Sequence, residues 1–154
     1  MRLFAYTLAC MFALAAAGCG QVTYVLQQYD GPVRARDQIS VLRVQPNDPT
    51  QLLALDEEQL GPQQLDSDVR LHIEILPGKH TLSVKNPNAQ IMQTQKVAFV
   101  AQPGRVYRVF LANRAWHTNT SRETPQGTWS PLVYEVDANT GRPLQEVSLP
   151  PSKS

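Results

Sequence analysis

Val69-Arg70-Leu71-His72-Ile73-Glu74-Ile75-Leu76-Pro77-Gly78-Lys79-His80-Thr81-Leu82-Ser83-Val84 is the stretch on which the fold turns. Val69, Leu71, Ile73 and Ile75 alternate with Arg70, His72 and Glu74, so the period is two and one face is apolar, as in a half-buried strand. Leu76-Pro77-Gly78-Lys79 follows with Pro second and Gly third, the signature of a type II turn. The third position of that turn needs φ > 0, which Gly meets without a Cβ clash. Leu82 and Val84 then alternate with Thr81, Ser83 and Lys85. The expectation is a strand, a tight turn and a return strand.

The same device recurs downstream. Residues 96–101 read as a strand, Gln102-Pro103-Gly104-Arg105 repeats the turn, and 106–111 resumes with Tyr107, Val109 and Leu111 on one face. Further strand candidates are 39–44, 51–55, 132–136 and 145–149, the last pair closed by Asn139-Thr140-Gly141. Residues 56–64 alone have a helical composition, and Gly61-Pro62 interrupts them. The fold class expected is all-β, an antiparallel β-sandwich of about seven or eight strands. The two Pro-Gly turns lie 26 residues apart, but their flanks align only in the turn and a basic residue, so they read as two unrelated hairpins rather than an internal repeat.

The domain is expected over residues 38–149, with 150–154 a disordered tail. About 110 residues suffice for a core of their own, since a domain of that size buries roughly 65% of its unfolded surface. Residues 19–37 read as a tether. Tyr24, Val25, Leu26 and Tyr29 argue against a fully solvated linker, so its second half is expected to dock on the domain.

Residues 1–18 have the form of an export signal. Arg2 gives a small positive start, residues 3–17 carry no charge, and Ala16-Ala17-Gly18-Cys19 resembles the bacterial lipobox, with Ala16 in place of the usual branched aliphatic. A bilayer span takes roughly 20 apolar residues, so the segment is short for a permanent anchor. The expectation is a cleaved lipoprotein signal peptide with Cys19 as the lipidated residue, the alternatives being an uncleaved anchor and ordinary cleavage after Ala17 within Ala15-Ala16-Ala17. A diacylglyceryl thioether and a further acyl chain there would hold the protein to a membrane permanently. Gly20 stands where Asp retains enterobacterial lipoproteins at the inner membrane, which by resemblance favours the periplasmic face of the outer membrane.

Cys10 leaves with that leader, so Cys19 is the one remaining sulfur and no disulfide can form within the mature chain. The 14 basic residues lose Arg2, so 13 face 13 acidic ones and the mature chain is formally neutral. The sequence has no basic run, which argues against nucleic acid as a partner.

At Leu76-Pro77-Gly78-Lys79-His80-Thr81-Leu82-Ser83-Val84 the chain resembles the L-P-G-x-H-x-x-x-V segment of a group of small bacterial envelope lipoproteins. That group is similar to PEGA-type and transthyretin-like sandwiches. Tyr29-Asp30-Gly31-Pro32, Gln38-Ile39-Ser40-Val41-Leu42, Trp129-Ser130-Pro131-Leu132 and Tyr134-Glu135-Val136 carry the resemblance further, although the Pro-Glu-Gly-Ala tetrapeptide is absent. It implies a fold and an envelope location and no reaction.

Chemistry-bearing residues are sparse. His72 and His80 flank the first Pro-Gly turn and are expected on adjacent strands, but zinc needs three or four ligands and no third is spaced for it. None of the serines sits in a Gly-x-Ser-x-Gly elbow, and a thioether-linked Cys19 is no nucleophile. No catalytic residue, metal or cofactor is expected. The long polar stretch 113–129 is the best binding candidate. Trp116 would stack on a sugar face or anchor a protein, with His117 beside it and Arg114 and Arg122 as donors. Trp129 reads as the first residue of the next strand, packed in the core. Asn119-Thr120-Ser121 matches a glycosylation sequon that a bacterial lipoprotein would not normally use. Two functions are therefore expected: a non-enzymatic, membrane-tethered module docking another envelope protein, or a glycan or peptidoglycan binder using the 113–129 loop.

Overall fold

The computed structural model describes residues 22–45, 48, 50–61, 69–88, 94–113 and 129–150. Within them the chain forms ten strands and no helix: β1 Val22–Gln27, β2 Ser40–Val44, β3 Gln51–Leu55, β4 Glu58–Gln59, β5 Val69–Ile75, β6 Gly78–Lys85, β7 Thr94–Ala101, β8 Val106–Asn113, β9 Trp129–Val136 and β10 Pro143–Glu146. Eight overlap the expected segments, β10 only at 145–146 of the expected 145–149; β1 and β4 are additional. A six-stranded sheet runs in the order β1-β5-β2-β8-β9-β10, and a four-stranded sheet in the order β4-β3-β6-β7.

The alternation read in the sequence is what the two sheets bury between them. Leu42, Ile73, Tyr107 and Val133 of the larger sheet form one cluster with Leu52, Leu82, Val84 and Phe99 of the smaller. Ile73, Ile75, Leu82, Val84, Phe99 and Val133 are wholly inaccessible. Trp129 is buried in the same cluster, as its position at the start of a strand implied.

Neither Pro-Gly turn makes a hairpin. Ile75 ends β5 in the larger sheet and Gly78 begins β6 in the smaller, where it pairs with Ala101. The reason is occupancy: β5 already has β1 on one edge and β2 on the other, so β6 has no edge of β5 to join. Gly78 turns the corner at φ 145°, in the region an L side chain rarely enters. The second turn likewise carries the chain from β7 back to β8. Gly104 sits there at φ 75°, and the Arg105 amide donates to the Gln102 carbonyl at 3.3 Å. The Gly104 amide donates to Ile39 O at 2.7 Å, so this corner is sewn to the entry of β2.

The larger sheet is mixed rather than purely antiparallel. β5 inserts between β1 and β2 and runs parallel to β1, while β8, arriving from the other sheet, runs parallel to β2. Parallel neighbours need a long crossover, and here the described parts of the crossovers contain strands and no helix.

Part of the expected tether is itself a strand: Val22 pairs with Val69 and Gln27 with Glu74, Leu26 packs against the core, and Gln28 and Tyr29 bond to Glu74. Residues 30–38 are exposed and link β1 to β2. Residues 56–59, the start of the segment of helical composition, belong to a hairpin. Asp56 and Glu57 both have positive φ (48° and 74°), the type I′ pattern whose twist suits adjoining strands, and they join β3 to β4 through the pair Leu55–Glu58.

The C-terminal segment joins the two sheets along one side. β10 pairs with β9, after which Ser148 bridges to Phe99 of β7. The Val147 amide donates to Val133 O at 2.9 Å and the Leu149 amide to Ala98 O at 2.7 Å.

Candidate functional site

With Leu71, Ile73 and Ile75 turned inward, Arg70, His72 and Glu74 face out from the larger sheet. The same parity turns Arg43 outward between Leu42 and Val44, and Arg108 outward between Tyr107 and Val109. Register then sets these residues side by side. Val25 pairs with His72, and His72 with Arg43. One step beyond the parallel pair Leu42–Tyr107, Arg43 lies beside Arg108, which pairs with Tyr134, which pairs with Glu146. A row of side chains thus crosses all six strands, with two arginines and a histidine at its centre and Arg70 one step away.

Arg43 is only 7% exposed. Its Nη2 donates to Ala138 O at 3.0 Å, so the 137–142 turn folds over it. Burial lowers its pKa, and the charges of Arg70, Arg36 and Arg108 act in the same direction, while Asp137 opposes them. Arg108 donates through Nη2 to Asp48 Oδ2 at 3.2 Å and lies 5.0 Å over the Phe110 ring. An apolar patch of Val41, Val106 and Val136, with Phe110 and Tyr134, flanks the row.

His72 is held down to about 4, first by burial and then by the charges of Arg43, Arg36 and Arg70. At neutral pH the ring is uncharged, because protonation would place a further cation among guanidiniums. Among the described residues, Arg43 Nε, Arg70 Nε, Arg108 Nε and His72 Nε2 are buried without a hydrogen-bond partner. Buried polar atoms are normally satisfied, and four orphans on one face mark this place out.

The carboxylates nearby are engaged. Asp48 holds Arg108 and, through Oδ1, the Thr50 amide at 3.0 Å. Asp137 Oδ1 accepts from the amides of Asn139 and Thr140 and from the Thr140 hydroxyl, and these bonds hold its pKa below the usual carboxylate range. Glu74 Oε2 accepts from the Tyr29 hydroxyl at 3.1 Å.

The two histidines expected on adjacent strands are on different sheets. His80, on β6, has Nδ1 2.5 Å from Asp56 Oδ2 and Nε2 2.7 Å from Leu76 O, and its ring centroid lies 5.8 Å from that of Phe99. Asp56 Oδ1 also accepts the Thr81 amide at 2.7 Å. This cluster clamps the β3–β4 turn to the β5–β6 corner. Among the described residues no three of His, Cys, Asp and Glu are grouped to hold a metal.

Cys19, Arg114, Trp116, His117 and Arg122 lie outside the described residues. The segment carrying the last four leaves β8 at Asn113 and returns at Trp129, which pair with each other. The basic row was missed because its members are far apart in sequence. Each arginine is legible as the polar partner in an alternating strand, but only the strand order makes them neighbours.

No family model, curated protein or solved structure matches this chain. The arrangement must therefore be read by its chemistry. Fixed guanidiniums around a neutral imidazole suit the holding of an anion.

Proposed function

We propose that the chain is a lipid-anchored β-sandwich protein of the bacterial envelope that works by binding rather than by catalysis. In this reading residues 1–18 are a cleaved leader and Cys19 carries acyl chains. The domain docks another envelope protein from the periplasmic face of the outer membrane. One observation carries it: β1 begins at Val22 and is hydrogen-bonded into the larger sheet. Only Gly20 and Gln21 then separate the lipidated residue from the fold, a reach of about 10 Å.

So short a connection would hold the domain at the bilayer surface. It would restrict the domain's partners to what is embedded there or lies against it, and raise their effective concentration accordingly. The end of the sheet carrying Val22 would face the membrane. Val69 at the start of β5, Val44 at the end of β2, Asn113 and Trp129 all lie at that end. The Gly78 and Gly104 corners would face away.

The test is in-cell crosslinking of the full-length protein beside a Cys19→Ser variant, with mass spectrometry of the adducts and of the mature N-terminal peptide. The expected result is an acylated Cys19 and a discrete protein adduct that the variant loses. An unmodified N-terminus with the protein in the soluble fraction would overturn the anchor. Adducts with sacculus fragments would overturn the protein-docking reading in favour of glycan binding, with Trp116 the residue to substitute.

A further inference from the structure

We propose that the outward face of the six-stranded sheet holds a phosphate-group site built from Arg43 on β2, Arg70 and His72 on β5 and Arg108 on β8, with Arg36 at its rim. Like charges on directly neighbouring strands destabilise a sheet, and here arginines occupy the same face of three adjacent strands. Arg43, at 7% exposure, keeps little water to screen its charge. Its one hydrogen bond among the described residues is to a neutral carbonyl, Ala138 O.

The donors left over are the ones an oxyanion takes. The guanidinium edge that presents Nε–H beside Nη–H grips an oxyanion through two parallel bonds. The Nε atoms of Arg43, Arg70 and Arg108 have no partner among the described residues. His72 is uncharged at neutral pH and still offers one N–H, so it adds a donor without adding repulsion. Asp48, Asp137, Glu74 and Glu146, the carboxylates on this face, are engaged with Arg108, the 137–142 turn, Tyr29 and Tyr134. Donors approaching from separate strands match a tetrahedral group with several acceptor oxygens better than the two coplanar oxygens of a carboxylate. Arg70, His72 and Arg108 are partly exposed, so solvent reaches their side chains, while the orphan nitrogens themselves are covered and an anion reaches them as the guanidiniums turn.

Two sources supply that chemistry: free phosphate and the headgroup of an anionic phospholipid. Arg70 follows Val69, the partner of Val22, and Arg43 is next to the last residue of β2, so the site lies toward the Val22 end. If Cys19 is anchored as proposed above, that end stands at headgroup level. The choice of source rests on the anchoring reading, whereas the site does not.

Both arms use residues 20–154, which contain every described strand, so acylation plays no part in either. In the first, inorganic phosphate is titrated at neutral pH against acetate at equal ionic strength, following the His72 ring resonances and the thermal midpoint. Phosphate is expected to shift both saturably in the millimolar range or below, and acetate to shift neither. Arg70→Gln, at a partly exposed position that leaves folding intact, should weaken phosphate roughly tenfold, the loss of about one charge-assisted bond. Arg43→Lys keeps the charge but removes Nε and should weaken it similarly. Arg105→Gln, at the far corner, should change nothing.

In the second arm, flotation with phosphatidylglycerol vesicles is compared with phosphatidylcholine. Selective flotation that Arg70→Gln abolishes assigns the headgroup as source. Flotation indifferent to Arg70, with phosphate still bound, assigns free phosphate. Absence of any phosphate-dependent shift at His72, or equal affinity in the wild-type and Arg70→Gln chains, overturns the site.

Discussion

His72 should make the fold acid-sensitive in a way one substitution can isolate. In the native protein the ring is held to about 4, by burial first and then by Arg43, Arg36 and Arg70. In the unfolded chain it returns to about 6.5. Above 6.5 both states carry a neutral ring and His72 has no effect on the balance. As the pH falls from 6.5 toward 4 the unfolded chain takes up a proton that the native state refuses, so the native state loses stability, and the loss levels off below 4. For a fully buried ring this interval would be worth about 3 kcal/mol. Solvent reaches His72, so about 1–2 kcal/mol is expected. Urea unfolding in phosphate-free buffer at pH 7 and pH 4, for wild-type and His72→Gln, measures it. Both proteins lose stability as carboxylates protonate, but the variant should lose about 1–2 kcal/mol less. Direct titration of the ring by NMR gives the same quantity independently. An imidazole titrating near 6.5, or identical pH dependence in the two proteins, would refute the account of the arginine cluster.

Three further substitutions probe the frame. Gly78→Val meets no atom within 4 Å of its new Cβ, yet at φ 145° the backbone penalty alone should lower stability by about 1–3 kcal/mol by chemical denaturation; an unchanged midpoint would mean that the corner relaxes freely. Asp56→Ala removes the partner of His80 Nδ1 and the acceptor of the Thr81 amide, and a loss of about 1–2 kcal/mol is expected from the same measurement. Ser148→Ala leaves the Val133 amide without its acceptor at 2.7 Å and should cost about 1–2 kcal/mol, with faster amide exchange at Val133.

Strands were legible where alternation is local. The 51–55 and 69–75 segments form strands with those bounds, and Tyr107 and Val109 face the core as their spacing implied. Partnership was not legible. A Pro-Gly turn between two alternating runs carries the same local signal whether the second run pairs with the first or leaves for another sheet. What decides the matter is that β1 and β2 occupy both edges of β5, a fact spread over more than fifty residues. The turn at 56–57 was illegible for a different reason: Asp56 and Glu57 are ordinary helix-compatible residues, and their left-handed conformation goes with the bonds of Asp56 to the Thr81 amide and carbonyl. The residues nominated from composition, Arg114, Trp116, His117 and Arg122, lie outside the described part of the chain. The basic row required Arg43, Arg70, His72 and Arg108 to be placed on β2, β5 and β8 in one register, and no period within any single strand encodes that.

The C-terminal strand sets the order in which the molecule can be assembled. The six-stranded sheet is bounded by β1 on one side and β10 on the other, so its outermost members are the first and last of the described strands. β1 has no partner until β5 exists, and the two sheets are not joined along the other side until Ser148 reaches Phe99. Contacts that close loops of this length form slowly, because the entropy of closure comes before the reward. A chain made from its N-terminus therefore leaves the β7–β9 side unsealed until residues 147–149 have been added.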